Sequence, residues 1–165
     1  MKCKVDIPYQ KIMIKKKNPQ MARMIMHSYA GDVSEDTAIH QYMFQSIVLQ
    51  KETKEVAEIL EQIAIVEMRH LQILGELIRE LGVYPIYLDP IVDQHEFWSA
   101  KYVNYEVNLK EMLILNMEAE QKAILQYNSL IHVIEEEDVK TILKRIVLDE
   151  RLHLEIFEKL LQSLT

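Results

Sequence analysis

Two short runs carry the chemistry: Glu67-Met68-Arg69-His70 and Glu150-Arg151-Leu152-His153. In each, a carboxylate and an imidazole stand three residues apart, which places them on one face of a helix. Apolar residues at helical spacing surround both runs. Ile59, Ile63, Val66, Leu71 and Leu74 flank the first; Ile146, Val147, Leu148, Leu154 and Ile156 flank the second. The polar pairs are therefore aimed where a core should form. A lone Glu-x-x-His could be a pair at the edge of a buried stripe. Two of them on two helices make half of a dinuclear metal site.

A repeat supplies the other half. Glu35 and Tyr42 are seven residues apart, two turns along one face, and so are Glu120 and Tyr127. Glu35 to Glu120 and Tyr42 to Tyr127 both span 85 residues, while Glu67 to Glu150 and His70 to His153 both span 83. Each half of the chain reads Glu, Tyr, then Glu-x-x-His, a match that chance does not readily supply. The candidate ligands are Glu35, Glu67, His70, Glu120, Glu150 and His153. Four buried carboxylates without counter-charge would be ruinous for stability. Two divalent cations bring four carboxylates and two neutral imidazoles to neutrality.

Further residues are expected to support these ligands. Helical side chains lean toward the helix N-terminus. Tyr42 and Tyr127 are therefore expected to lean back toward Glu35 and Glu120, with their hydroxyls within reach of ligand carboxylates. Asp149 is placed to accept the free ring N–H of His70 and so fix its tautomer. Val66 holds the corresponding place before Glu67 and cannot do the same. His153 is expected to use a backbone carbonyl or water instead, which would make the two metals inequivalent.

The elements that must position these residues are helices. With three Gly and four Pro in 165 residues, long helices are favoured over many short strands. Residues 1–17 read as an extended arm ending in the solvated triplet Lys15-Lys16-Lys17, ahead of a bundle over 18–165. Asn18-Pro19 signals a helix start. Gly31 interrupts the pattern, and Asp32 or Ser34 could cap a fresh start, but the register with the second helix calls for one continuous helix from Pro19 to about Gln50, with Gly31 inside it. Thr53 is expected to cap a second helix that stops at Gly82, Asn108 to open a third ending near Glu136, and Asp138 to cap a fourth. Tight links make each helix pair antiparallel. The connection over 83–106 contains Pro85, Pro90 and Trp98, and is long enough to cross the bundle end to end. The expected fold is all-α: an up-down-down-up four-helix bundle with one long crossover between helices 2 and 3.

On these residues the chain resembles the ferritin-like di-iron carboxylate superfamily, nearest its rubrerythrin-like and bacterioferritin-like branches, over residues 19–163. The resemblance implies the six-residue ligand set named above, two iron ions bridged by carboxylates, and manganese as the alternative metal. It implies reduction of H2O2 or O2 in defence against oxidants. Other readings are a ferroxidase in iron storage, a manganese catalase-like enzyme, or a metal-binding bundle without catalysis. Ala123 stands where rubrerythrins usually carry an additional Glu. One cysteine, Cys3, cannot build an iron–sulfur domain, so electrons would come from a separate donor such as a rubredoxin. Met68 sits where bacterioferritin-like proteins bind haem, but reads better as an outward residue. His27, His40, His95 and His132 lack partners at ligand spacing, and Glu118 points away from Glu120. The twelve residues after His153 leave no room for the fifth helix of ferritin cages, and a homodimer rather than a cage is expected because bundles of this kind often bury an outer apolar face by pairing.

Composition bounds the rest. The net charge of −7 disfavours nucleic-acid binding. No apolar run is long enough to span a membrane, and the single cysteine fits a reducing cytoplasm.

Overall fold

A computed structural model describes residues 2–89 and 96–164. Among the described residues five α-helices form: α1 Pro19–Ala30, α2 Glu35–Leu49, α3 Lys54–Glu80, α4 Leu109–Val133 and α5 Glu137–Gln162. Packing is most extensive between α2 and α3 and between α4 and α5, the two expected antiparallel pairs. The architecture is the expected ferritin-like bundle, with α1 and α2 together taking the place of its first helix.

The expectation of one continuous first helix is corrected. The chain leaves the helix at Gly31, which is extended (φ −89°, ψ −167°). A Cβ there would collide with His27 Nδ1 and lie 2.6 Å from the His27 carbonyl oxygen. Ser34 then caps a new helix, its hydroxyl accepting from Thr37 N. The Ser34 and Thr37 hydroxyls both donate to the Gly31 carbonyl, satisfying an acceptor that a continuous helix would have used. Smaller corrections concern caps. Thr53 precedes α3 without a side-chain capping bond, and α5 begins at Glu137, so Asp138 lies within its first turn. Asn108 does cap α4, accepting from Lys110 N and Glu111 N, and Gly82 follows α3 at φ 97°.

The crossover climbs the α1–α2 edge. Asp89 meets His27, the Trp98 ring N–H donates to Thr37 Oγ1 at 2.9 Å, Asn104 N donates to Gln41 Oε1 at 3.0 Å, and Tyr105 packs on Phe44. The chain thus returns to the end from which α3 started, and α4 runs parallel to α3. Pro90 and His95 lie outside the described residues.

Two apolar clusters fill the bundle. One joins Ile25, Tyr29, Leu74, Leu77, Leu130, Ile142 and Ile146; the other joins Leu49, Leu60, Ile63, Met112, Leu113 and Phe157. Between them lies a buried polar layer containing Glu35, Glu67, His70, Glu120, Asp149, Glu150 and His153. The N-terminal arm lies along the bundle rather than away from it. Ile12 and Ile14 pack on the first cluster, and Asn18 N donates to the Leu81 carbonyl.

Candidate metal centre

The structure brings all six candidate ligands together from four helices, each at most 4% exposed. Glu35 opens α2, where the positive end of the helix favours a carboxylate. Glu67 and His70 lie within α3, Glu120 within α4, and Glu150 and His153 within α5.

The candidate ligands divide into two groups that share two members. His70 Nδ1 lies 2.7 Å from Glu67 Oε2, 3.1 Å from Glu150 Oε1 and 3.6 Å from Glu35 Oε2. His153 Nδ1 lies 2.9 Å from Glu67 Oε1, 3.4 Å from Glu150 Oε2 and 3.8 Å from Glu120 Oε1. Glu67 and Glu150 each turn one oxygen to either half. Glu35 with His70, and Glu120 with His153, close the two ends. These groups can each offer an atom to a common point in two sets, Glu35–Glu67–His70–Glu150 and Glu67–Glu120–Glu150–His153.

The atoms that face inward are short of partners. Glu67 Oε1, Glu150 Oε1 and His153 Nδ1 are buried and meet one another and His70 Nδ1 as ion pairs, none in hydrogen-bond geometry. Leaving such groups unmade is costly. A cation that takes their lone pairs removes the cost, and carboxylate with imidazole suits iron, manganese or zinc. The residues present therefore fit a dinuclear metal site.

The electrostatics match that reading. Burial, then Glu150 and Glu67, pushes the Glu35 carboxyl well above its ordinary range; Glu120 is raised by the same causes. Burial also pushes Glu67 up, but His153 and His70 outweigh it and hold this carboxyl below its usual range. For both imidazoles burial disfavours the charged ring, yet the facing carboxylates prevail and raise His70 and His153 well above the usual value.

The tyrosines support the ligands in a crossed arrangement. Tyr42 OH donates to Glu120 Oε1 at 2.6 Å, and Tyr127 OH donates to Glu35 Oε1. The expected pairing along each helix, Tyr42 with Glu35 and Tyr127 with Glu120, is corrected. Two turns is too far for that lean. In the antiparallel α2–α4 pair, seven residues up one helix match seven down the other, so each tyrosine faces the other helix's glutamate. Burial, followed by the nearby carboxylates, raises both hydroxyls, which stay protonated donors.

The outer ring nitrogens also find partners. His70 Nε2 donates to Asp149 Oδ2 at 3.1 Å, the expected acceptor. His153 Nε2 donates to a backbone carbonyl at 2.8 Å, and that carbonyl belongs to Cys3. The arm contributes more. Val5 N and Tyr9 OH donate to Asp149 at 2.7 and 2.5 Å, and Tyr9 OH is 3.1 Å from His70 Nε2. Arg145 pairs with Asp149 at 2.9 Å and donates to the Ile7 and Val5 carbonyls. Burial raises the Asp149 carboxyl, but the bonds from His70, Tyr9 and Val5 bring it down to about 2. The Arg145–Asp149 spacing is a legible helix pair. Nothing in the sequence pattern ties Cys3, Val5 or Tyr9 to the site.

On the opposite side the centre opens to a cavity of about 240 Å³, reached between the Asp32–Ser34 loop and the Ala119 and Ala123 positions of α4. A buried amide group, Gln41, Gln45 and Asn116, braces α2 against α4 nearby and has no sequence signal of its own. The discounted residues stay off the centre. Met68 and Glu118 are exposed, and His40 bonds to the Asp36 carbonyl. His132 is also exposed. His27 does have partners, Asp89 at 3.1 Å and Asp32 at 3.5 Å, supplied by the crossover and the α1–α2 loop.

Fold and site together define a ferritin-like bundle built around a buried carboxylate–histidine centre. Comparison with known families agrees: the rubrerythrin family model matches residues 31–161, and the chain belongs to that family. It is similar to KatB, a manganese catalase from Anabaena, at 28% identity and a TM-score of 0.87, over 97% of this chain and 79% of that one. A probable manganese catalase from Clostridium acetobutylicum is 22% identical over 170 residues, covering 92% of this chain and 75% of the relative. A Desulfovibrio desulfuricans bacterioferritin shares the fold, at 24% identity and a TM-score of 0.72, over 87% of this chain and 78% of that one.

Proposed function

We propose that this chain is a dinuclear metal oxidoreductase that consumes hydrogen peroxide, with Glu35, Glu67, His70, Glu120, Glu150 and His153 as the metal ligands. The observation that carries the reading is the pair of half-sites sharing Glu67 and Glu150, at the floor of a cavity small enough to favour a small oxidant. When bound, the ion pair supplies a two-electron redox change at one place. The chain's own groups do the rest. Glu67 and Glu150, which each turn one oxygen to either half-site, would be the ligands that the two ions share. Tyr42 and Tyr127 fix Glu120 and Glu35 by hydrogen bonds, keeping the end ligands from swinging into the cavity. The aliphatic clusters above and below keep bulk water from the polar layer.

The favoured reaction is disproportionation, in which two H2O2 yield two H2O and one O2. It is supported by likeness to KatB along almost the whole chain, and it makes manganese the favoured metal. The second reading is a rubrerythrin-like peroxidase with iron, supported by the family match. That reaction needs electrons from a separate donor such as a rubredoxin, because one cysteine cannot house an iron–sulfur site. We also read the chain as a homodimer in a reducing cytoplasm; native mass tests the first part.

Oxygen evolution from H2O2 by the manganese-loaded and iron-loaded proteins decides between these readings. The favoured reading expects one O2 per two peroxides from the manganese form, with no donor present. Donor-dependent peroxide consumption without O2 would select the second. A mineral core formed from Fe(II) and O2, with neither peroxide activity, overturns both in favour of a ferroxidase.

A further inference from the structure

The N-terminal arm lies against the closed side of the centre. A free peptide segment would contribute nothing there, yet two of its groups touch the outer nitrogens of the proposed ligand histidines. The Cys3 carbonyl accepts from His153 Nε2, and Tyr9 OH lies beside His70 Nε2 while donating to Asp149. The Tyr9 ring stands edge-on to His70, with centroids 5.9 Å apart, and the Arg145 guanidinium covers it at 4.3 Å. Val5 N and the Arg145 bonds to the Val5 and Ile7 carbonyls pin the backbone between these two points. Cys3 is itself 5% exposed, so its carbonyl is shielded from solvent.

The two halves are thereby made unequal. His70 is backed by an anion, Asp149, which His153 lacks. A carboxylate on the far ring N–H makes an imidazole a stronger donor than a neutral carbonyl does, and such outer partners change metal affinity tenfold to a hundredfold. The Glu-x-x-His repeat is symmetric; the difference comes from Asp149 on α5 and from the arm that closes over it.

We propose that residues 3–9 form a fixed outer wall of the metal centre that positions both ligand histidines, and that this wall with Asp149 makes the Glu35–His70 half bind its metal before the Glu120–His153 half. The inference rests on the metal-centre reading above. Cys3 and Tyr9 are positioning residues here, since they meet the outer ring nitrogens and Asp149 rather than the inward-facing ligand atoms. One side of the bundle is closed by the arm and the other admits substrate, so the two functions of the site are physically separated.

Zinc titration of the metal-free full-length protein by calorimetry, followed by 15N NMR of the histidine rings, tests this. The wild type should bind two zinc ions in two resolved steps, with the His70 ring signals moving in the first. Asp149→Asn keeps the shape and removes the charge; it should weaken the first step by about tenfold to a hundredfold and leave the second nearly unchanged. Tyr9→Phe keeps the ring and should weaken the first step less, while moving the His70 Nε2–H resonance and not that of His153. Deleting residues 2–8 should weaken both steps. If that chain does not fold, the two point variants carry the test. Two equal steps in the wild type, or equal weakening of both steps by Asp149→Asn, would overturn the order of binding, and metal steps and ring signals left unmoved by Tyr9→Phe would overturn the arm's role, in either case with the metal centre intact. A wild type that binds no zinc, manganese or iron would overturn the centre itself.

Discussion

Loading two divalent ions into the metal-free protein should expel protons, up to about four per chain. The count comes from the site. Glu35 and Glu120 are pushed well above the ordinary carboxyl range by burial and by the neighbouring Glu150 and Glu67, so each holds its proton to higher pH than an ordinary carboxyl does. His70 and His153 are raised by the carboxylates they face, so each carries a second ring proton at Nδ1, the position a metal would take. Each proton displaced makes the apparent binding constant about tenfold steeper per pH unit. Affinity should therefore climb as pH rises. Stability of the metal-free protein responds in the opposite direction. A group raised on folding stabilises the fold below its unfolded value and loses that contribution as pH rises through the folded value. The metal-free protein should melt lower as pH rises from 6 to 9, while the loaded protein should not. Calorimetric zinc titrations at pH 7, repeated in buffers of different ionisation enthalpy, give the proton count directly. The double variant Glu35→Gln with Glu120→Gln should lower it, by up to about two. Release of less than one proton per chain, or a metal-free protein that gains stability over that pH range, would refute the charge reasoning.

Three further outcomes follow from particular contacts. Gly31→Ala places a methyl against the His27 carbonyl and ring, and should lower unfolding free energy by about 1–3 kcal/mol in urea melts. Ala123→Phe on the cavity wall should reduce kcat/KM for peroxide by at least about tenfold with metal content unchanged; loss of metal instead would show that Ala123 belongs to the site's frame. Asp149→Asn should cost the metal-free protein about 2 kcal/mol at pH 7, because its carboxyl lies near 2 in the fold against an ordinary value of 3.8. That difference is present above the ordinary value and should disappear as pH falls through about 2, which acid-unfolding curves of the two proteins would show.

The cluster of six candidate ligands was legible because the chain states its members twice. Glu35, Glu67 and His70 are matched at near-constant offset by Glu120, Glu150 and His153, and charged residues placed on apolar helix faces must be neutralised by something they share. The crossed tyrosines were not legible from spacing within one helix, since their partners lie on the facing helix and require its register. The break between α1 and α2 was signalled by Gly31 and by Asp32 or Ser34 as a candidate cap, but in the sequence the register calling for one continuous helix outweighs those signals. The clash a Cβ would meet at Gly31, together with Ser34 as the cap, decides it. The arm was least legible of all. Val5 and Tyr9 meet Asp149 from 144 and 140 residues away, through a backbone amide and a hydroxyl that leave no periodic trace. The same holds for Cys3, whose carbonyl serves His153 whatever its side chain.

Two metals sharing Glu67 and Glu150 inside this bundle are the centre on which the proposed chemistry depends. A crystal structure of the manganese-loaded protein, with anomalous scattering recorded at the metal edge, tests it most directly. The prediction is two anomalous peaks per chain, one bounded by Glu35 and His70, the other by Glu120 and His153, with Glu67 and Glu150 reaching both. A single peak, or metals held by residues outside these six, would contradict it.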